Sequence, residues 1–521
     1  MNLTIYDTLL RDGSQTENLS FSLADKIRIT QEFDELGIDY VEGGWPGSNP
    51  KDVEYFDEMK NKELEHTKLA AFGSTRRPDT DPENDENLQE LLRAETPVIT
   101  IFGKSWPLHV RDALGVTEDE NIEMISSSIR HLSDHGREVI YDAEHYFDGY
   151  KDDPEYALRT LIGARDAGAD TLVLCDTNGG CLPREVRRIV RETADEIGDV
   201  ELGIHVHNDS GCAVANTLEA VEEGVNHVQG TINGFGERCG NADLTSVIPD
   251  LELKMGREVL GEEKLRKLTE VSRFVDELAN LKPNPHQPFV GDSAFAHKGG
   301  IHVSAVRKNP ETYEHIEPGS VGNDRKVVVS ELSGKSNILQ KSEELGLNLG
   351  DDDEQARRVV EEVKRLENEG FHYETAEGSF EILVKRLIGE HQVYFNLVGF
   401  RVINEQESSD VKRCEATIKV TVGDRIEHTA ADGVGPVNAL DNALRKALNE
   451  FYPELGEVNL SDFKVRVLDE TEGTEAKVRV LIEMSDEKRT WRTVGVSENI
   501  IDASWQALTD GIDYKLMKSR G

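Results

Sequence analysis

The sequence contains no continuous apolar stretch of the roughly 18–20 residues that a transmembrane helix needs. It begins Met1-Asn2-Leu3-Thr4-Ile5, without the apolar segment of a secretory signal. Only five of its 521 residues are cysteine, and no two of them have the CxxC spacing of a zinc ribbon. These absences exclude a membrane-spanning chain, argue against a disulfide scaffold and predict a cytoplasmic protein.

Basic residues are scarce relative to acidic ones. The chain has 59 Lys and Arg against 101 Asp and Glu, which gives a formal net charge of −42. Such a surface repels nucleic acid and anionic membranes, so neither is expected as a partner. The charge fits an ordinary acidic enzyme, but we favour a halophilic origin, because the acids are spread along the whole chain and about 1 M salt shortens the Debye length to about 3 Å.

The length predicts two or three domains. Eight apolar runs recur at the spacing of strand–helix units, and a helix over Leu23–Leu36 is predicted from capping-box residues before it and Gly37 after it. This pattern predicts a (β/α)₈ TIM barrel; a doubly wound sheet is the alternative, but no GxGxxG follows the first strand. The predicted strands cover residues 3–8, 40–44, 68–73, 97–103, 138–145, 171–177, 202–208 and 227–234.

The second half of the chain has a different pattern. It is predicted to be helical up to about residue 366, with a loop-like centre at residues 291–322 and an exposed acidic turn at residues 350–354. From about Phe371, apolar and polar residues alternate with the period of two that is typical of strands. Residues 433–440 are echoed by residues 495–502, and a helical pattern follows each copy. We therefore expect an α/β barrel at residues 1–250, a helical subdomain at 251–370 and an α+β domain with two similar units at 371–521.

Two histidines on the seventh strand are candidate metal ligands. His205 and His207 share one side of the strand and would project at the carboxyl-terminal mouth of the barrel, where catalytic residues of this fold lie. Asp12 follows the first strand and would complete a set of two histidines and one carboxylate, which suits Mn²⁺, Mg²⁺ or Zn²⁺. The adjacent Arg11 is a fixed cation that can neutralise an oxyanion. Each motif alone also fits core histidines or a surface ion pair.

Other strand ends carry polar groups as well. Asp142 and Glu144 share a face at the end of the fifth strand and are candidate general bases. Thr177 follows the sixth strand, and a glycine-rich loop at residues 233–242 follows the eighth, where a ligand can approach the backbone. Their occurrence at successive strand ends predicts one site at the barrel mouth.

Three of these stretches resemble a known family. Leu10-Arg11-Asp12-Gly13-Ser14-Gln15, residues 202–213 and residues 236–242 are similar to the signatures of the 2-isopropylmalate and homocitrate synthases, and the resemblance covers nearly the whole chain. Within that family, residues 293–306 and 311–314 most resemble the citramalate synthases. Val303-Ser304 stands where an isopropylmalate synthase is expected to be more acidic, and Leu9 replaces a frequent Thr.

The resemblance implies a Claisen condensation of acetyl-CoA with pyruvate and water to give citramalate and CoA. The alternative is 2-isopropylmalate synthase, which uses 2-oxoisovalerate; a lyase or aldolase of the same barrel type, or a sensor built on the C-terminal repeat, explains less of the sequence. The subdomain of one protomer is expected to cover the barrel of the other in a homodimer. The C-terminal domain is expected to respond to isoleucine, or to leucine in the alternative.

The resemblance also assigns roles to residues. Asn241 is expected as a fourth or water-mediated metal ligand, and Arg11 as a group that polarises the ketone together with the metal. Glu144 is the first choice for the base and His302 the second, and His302 and Tyr313 are expected to serve thioester hydrolysis. The residues expected to bind the oxoacid are Arg11, Asp142, Thr177, Phe72 and Phe102.

Overall fold

The protein is described here by a computed structural model that covers residues 3–327, 341, 353–406, 412–468 and 476–520. The chain divides into two compact units. The first comprises Met1–Phe295 with Ile316–Asp324, and the second comprises Ala296–His315 with Arg325–Gly521. The expected subdomain at residues 251–370 is therefore shared between the two units.

The first unit contains the predicted barrel. Eight parallel strands pair in sequence order, and β1 closes the barrel on β8 through the register Thr4↔His227 to Asp7↔Gly230. All eight strands lie where the apolar runs predicted them, which confirms the TIM-barrel fold. The strands are β1 Thr4–Asp7, β2 Tyr40–Gly44, β3 Lys68–Ser74, β4 Val98–Lys104, β5 Glu138–Glu144, β6 Thr171–Asp176, β7 Glu201–Val206 and β8 His227–Gly230.

Helices connect successive strands of the barrel. The helix Leu23–Leu36 has the predicted capping box between Ser22 and Asp25 and ends at Gly37, whose φ of 95° favours glycine. The other helices of four or more residues described in this unit are Pro50–Met59, Glu86–Arg93, Val110–Leu114, Glu118–Asp134, Tyr146–Asp152, Pro154–Asp166, Pro183–Ile197, Ala213–Glu222, Leu244–Pro249, Asp250–Lys254, Glu262–Leu265, Leu268–Leu278 and Pro318–Val321.

The eighth strand is shorter than predicted. It ends at Gly230, and Ile232–Gly234 forms a 3₁₀ turn with Asn233 in the left-handed region at φ 68°. The reason is a side-chain interaction: Asp7 Oδ2 accepts a hydrogen bond from the Ile232 N–H at 2.9 Å, which draws the chain out of the strand. The turn thereby ties the last strand to the end of β1.

The second unit contains two similar groups of strands. Strands β11 Asn396–Gln406, β12 Lys412–Val422 and β13 Arg425–Gly433 form one antiparallel sheet, followed by the helix Pro436–Leu448. Strands β14 Asn459–Val467, β15 Val478–Ser485 and β16 Thr490–Ser497 form another, followed by the helix Ile500–Arg520. Each group thus consists of three strands and a helix. The sequence repeat predicted strands, a glycine-rich turn and a helix in each unit, but not the number of strands.

Two glycines of the repeat lie where each helix approaches its sheet. A Cβ on Gly433 would lie 2.3 Å from the Ala439 nitrogen, and a Cβ on Gly495 would lie 2.0 Å from the Ala503 carbonyl oxygen. Neither position accommodates a side chain, so both glycines are required by packing.

Two expectations for the second half of the chain were wrong, and a third lies mostly outside the described residues. Period-two alternation does not begin at Phe371, because residues Glu377–Ile388 form a helix whose Phe380 packs with Tyr373 and Val494. The predicted loop at residues 291–322 contains the helix Gly300–Lys308. Of the predicted acidic turn, residues 350–352 lie outside the described residues, and Asp353 begins the helix Asp353–Asn368. Two short strands, β9 Ala296–His297 and β10 Lys326–Val327, pair in parallel.

Among the described residues, no helix combines the length and apolar character needed to cross a membrane.

Candidate active site

Asp12, His205 and His207 come together at the mouth of the barrel. His205 Nε2 lies 3.4 Å from Asp12 Oδ2, His207 Nε2 lies 3.6 Å from the same oxygen, and the two Nε2 atoms are 3.4 Å apart. All three side chains are buried. The predicted group therefore exists as a compact set of one carboxylate and two imidazoles that can hold a metal ion.

Buried atoms without partners support a metal at this position. Asp12 Oδ1, His207 Nδ1 and Asn241 Oδ1 are buried, and none has a hydrogen-bond partner among the described residues. Asn241 is next to His207 through a main-chain bridge, and its amide nitrogen donates to the Phe235 carbonyl at 3.1 Å, which leaves its oxygen free to bind a cation. Because unpaired buried acceptors are costly, a divalent cation fits this donor set.

The charges of these residues shift one another's pKa values. Burial would raise the pKa of Asp12, but Arg11 and the two histidines outweigh burial and hold that pKa below its usual range. Burial would lower the pKa of His205, but Asp12 outweighs burial and raises it. Burial and the neighbouring His205 lower the pKa of His207 to about 4. Asp12 is thus ionised and His207 neutral at neutral pH, which are the forms that bind metals.

Arg11 is held in place from three sides. Its Nε donates to Glu42 Oε2 at 2.5 Å, its Nη1 donates to Asp12 Oδ2 at 3.2 Å, and its guanidinium lies 3.8 Å from the centroid of the Phe72 ring. Glu42 is fully buried and also accepts from Tyr6 Oη at 2.9 Å. Burial would lower the pKa of Arg11, but Glu42 and Asp12 outweigh burial and raise it, so the cation is permanent.

A cavity of about 240 Å³ opens beside these groups. One side is aromatic: the rings of Phe72 and Phe102 stack at 5.4 Å, and Trp45 packs edge-on against both of them. The cavity is lined by Arg11, Asp12, Gln15, Trp45, Phe72, Phe102, Asp142, Glu144, Cys175, Thr177, His205, His207 and Glu237. It therefore combines a charged end with an apolar wall, as a site for a small oxoacid requires.

The side chains of Asp142, Glu144 and Thr177, which were predicted to belong to the site, all line this cavity. Glu144 is paired with the Lys104 ammonium, and burial raises the pKa of Asp142 to about 7. Thr177 Oγ1 accepts a hydrogen bond from the His145 N–H at 2.9 Å. Since that bond uses a lone pair of the oxygen, the Thr177 hydroxyl hydrogen remains free to donate into the cavity.

His302 and Tyr313 belong to the second compact unit. Their rings stack at a centroid distance of 4.2 Å, and both side chains are exposed, Tyr313 to 46%. They form one aromatic pair, and their expected part in the reaction stays a prediction.

Sequence reasoning missed four residues around the site. Glu42 binds Arg11, Lys104 pairs with Glu144, Trp45 completes the aromatic wall, and Gln229 contacts His205. Glu42 and Gln229 lie inside strands β2 and β8, where a polar residue in an otherwise apolar run was the available signal. Lys104 is the last residue of β4 and lies in register with Glu144, the last residue of β5.

Three family models match successive parts of the chain. The HMGL-like model matches residues 2–275, the model described as a homocitrate synthase post-HMGL domain matches residues 289–370, and the LeuA allosteric (dimerisation) domain model matches residues 374–516. An (R)-citramalate synthase of Geobacter sulfurreducens is 58% identical over 99% of this chain and 98% of its own. The chain belongs to the (R)-citramalate synthase family.

Other relatives show how far this similarity extends. The (R)-citramalate synthase of Aquifex aeolicus is 53% identical over 99% of this chain and 98% of its own. A 2-isopropylmalate synthase of Methanocaldococcus jannaschii is 32% identical over 99% of this chain and 95% of its own. The chain is thus far more similar to these two members of the citramalate synthase family than to this isopropylmalate synthase.

Proposed function

We propose that the protein condenses acetyl-CoA with pyruvate and water to give citramalate and CoA. The observation that carries this proposal is the buried Asp12–His205–His207 group beside Arg11, in a cavity of about 240 Å³ with an aromatic wall. The names of its relatives at 53–58% identity point to the same reaction. The second candidate, condensation with 2-oxoisovalerate, would require the same charged end but more room at the aromatic wall.

The charged end of the cavity is the proposed oxoacid site. Asp12, His205 and His207, with Asn241 as a further oxygen donor, would hold a divalent ion, and Mn²⁺, Mg²⁺ and Zn²⁺ all suit these ligands. Such an ion supplies a Lewis acid for the ketone of the oxoacid. Arg11 is fixed by Glu42 and Phe72 and faces the developing alkoxide, while Thr177 donates its hydroxyl hydrogen to the oxoacid carboxylate.

Enolisation of acetyl-CoA requires a base that removes a proton from the acetyl methyl group. Glu144 is our first choice because it faces the cavity, and Lys104 keeps its carboxylate in place. His302 is the second choice. His302 and Tyr313 are exposed as a stacked pair and would act in hydrolysis of the thioester if a partner protomer brings them to the barrel mouth. Asp142 would border the oxoacid, beside Phe72 and Phe102.

A thiol-release assay with acetyl-CoA and a panel of 2-oxoacids tests the reaction. We expect the highest kcat/KM with pyruvate and loss of activity after chelation. A higher kcat/KM with 2-oxoisovalerate would assign the protein to the second candidate, and no release with any oxoacid would reject the class.

The metal assignment has its own test. His207→Ala removes one ligand, so it should lower both bound metal and kcat by more than about 100-fold, beyond the effect of losing an outer contact. Thr217→Val is the matched control, because Thr217 is buried in the barrel unit and donates only to Ala213 of its own helix. Unchanged metal content in His207→Ala would reject the assignment.

We further propose a cytoplasmic homodimer that is inhibited by isoleucine. The five free cysteines suit a reducing compartment, and the LeuA allosteric (dimerisation) model supports the assembly and the regulation.

Light scattering should give twice the chain mass. Isoleucine, rather than leucine, should reduce the activity of the full chain, and Val434→Asp, at a fully exposed turn residue, should weaken that response without affecting activity. A monomer, or indifference to both amino acids, would reject these points.

A further inference from the structure

Gln229 lies in the interior of the barrel on β8, directly behind the proposed metal ligands. It is fully buried, and its amide oxygen lies 3.0 Å from His205 Nδ1. Its amide nitrogen faces Asp142 Oδ1 at 3.2 Å and His227 Nε2 at 3.5 Å. The side chain is thus surrounded by one group that can donate and two that can accept.

These neighbours fix which end of the amide faces His205. Asp142 Oδ1 is an acceptor, and burial lowers the pKa of His227 to about 3, which leaves its imidazole neutral and able to accept at Nε2. The Gln229 NH₂ group donates to Asp142 Oδ1 and lies toward His227 Nε2, so the amide oxygen faces His205. An amide oxygen can only accept a hydrogen bond, so His205 Nδ1 must carry a hydrogen.

We propose that Gln229 is a positioning residue that keeps the hydrogen of His205 on Nδ1 and thereby presents the Nε2 lone pair to the divalent cation. This inference rests on the proposed metal site. The nitrogen that would face the cation is Nε2, which lies 3.4 Å from Asp12 Oδ2. The hydrogen bond also fixes the plane of the imidazole ring, so that Nε2 points at the other ligands.

His207 provides an internal contrast. Its Nδ1 is buried, and no hydrogen-bond partner for it occurs among the described residues. Among the described residues, the two histidines therefore differ: His205 has a hydrogen-bonding partner at its Nδ1, and His207 has none there. Loss of the Gln229 amide should consequently affect His205 alone.

Mn²⁺ binding to the full-length, metal-free protein tests the inference directly. Gln229→Met keeps the side-chain volume but removes the acceptor, and we expect it to weaken Mn²⁺ affinity by about 10–100-fold, the usual effect of losing the partner of a metal-bound histidine. Gln229→Glu keeps the acceptor toward His205 but loses the NH₂ group that faces Asp142, so it should lose less Mn²⁺ affinity than Gln229→Met. Thr217→Val, the buried control used above, should leave the affinity unchanged.

Native affinity in Gln229→Met would overturn the inference, as would an equal loss in Gln229→Met and Gln229→Glu. If the native protein itself binds no Mn²⁺, the proposed metal site fails, and the inference fails with it.

A second measurement is made on the native protein and uses a variant only to assign one resonance. In ¹⁵N-histidine spectra of the native protein loaded with Zn²⁺, the His205 resonance, assigned by its loss in His205→Asn, should show a hydrogen on Nδ1 that exchanges slowly with water. A hydrogen on Nε2, or rapid exchange of the Nδ1 hydrogen, would overturn the inference.

Discussion

His205 and His207 are two residues apart, yet their surroundings shift their pKa values in opposite directions. For His205, burial acts to lower the pKa, but the nearby Asp12 carboxylate outweighs it and raises the pKa. For His207, burial and the charge of His205 act together and lower the pKa to about 4. In the metal-free protein, a proton is therefore retained mainly on His205.

This difference predicts the pH dependence of metal binding. A cation must displace the His205 proton, so affinity for Mn²⁺ should rise with pH up to the raised pKa of His205 and level off above it. His207 is already neutral near pH 7, since its pKa is about 4, and adds no dependence there. Below that pKa, Mn²⁺ titrations at constant ionic strength should show release of one proton, and the release should fall toward zero above it. Release of two protons, or a release that does not change with pH, would contradict the assignment.

Phe102 is the residue at which the choice of oxoacid is best tested. Its ring packs on Phe72 and Trp45, and its removal leaves the contact between Phe72 and Arg11 in place. Phe102→Ala should raise kcat/KM for 2-oxoisovalerate relative to pyruvate by about 10-fold or more, because each methylene in an apolar pocket is worth about 1–3 kcal/mol. Phe147→Leu, in the core outside the cavity, is the control. An unchanged ratio would mean that the oxoacid does not reach this wall.

At the scale of single elements, the side chain of Asp7 connects the ends of two strands. Asp7, the last residue of β1, accepts hydrogen bonds from the Leu9 N–H at 2.7 Å and, on its other oxygen, from the Ile232 N–H at 2.9 Å. One carboxylate therefore joins the first strand to the turn after the last. The Oδ2 contact joins the two ends of the sheet, and the Oδ1 contact fixes the chain just after β1.

Asp7→Asn should be destabilising for this reason. An asparagine offers one acceptor oxygen and turns its NH₂ toward the second N–H, which should cost about 1–3 kcal/mol of unfolding free energy. Asp170→Asn is the matched control, because the contact of Asp170 with the Val139 N–H uses one oxygen only and an amide can keep it. Denaturant unfolding of both variants measures the difference. Equal stability of the two would show that the second bond contributes nothing.

The elements differ in how well the sequence predicts them. Eight apolar runs sufficed for the barrel, because each buried strand repeats the same local signal. The end of β8 and the helix Glu377–Ile388 were missed, since the first depends on Asp7, which is 225 residues away, and the second on packing with Val494. The site follows the same rule: strand-end positions predicted Asp12, His205 and Thr177, whereas Glu42 and Gln229 are recognised only through their partners.

For the whole molecule, the dominant quantity is the net charge of −42. If this charge is an adaptation to salt, the melting temperature should rise between about 0.1 and 2 M KCl, as the Debye length falls from about 10 Å to below 3 Å. Calorimetry in KCl measures this change, and calorimetry in sucrose is the control, because sucrose is excluded from the protein surface but carries no charge. A rise in melting temperature that occurs in KCl beyond the rise in sucrose therefore comes from charge screening. A melting temperature that is flat in KCl would favour an ordinary acidic enzyme.

The two groups of three strands and a helix in the second unit have a consequence for how this domain can change over evolutionary time. If they descend from a duplicated ancestor, most positions have been free to diverge. Gly433 and Gly495 have not, because a Cβ on either one would collide with the backbone of the helix that follows. On that history, divergence would erase the common ancestry fastest where side chains can be exchanged, and the two glycines would be the last shared positions to change.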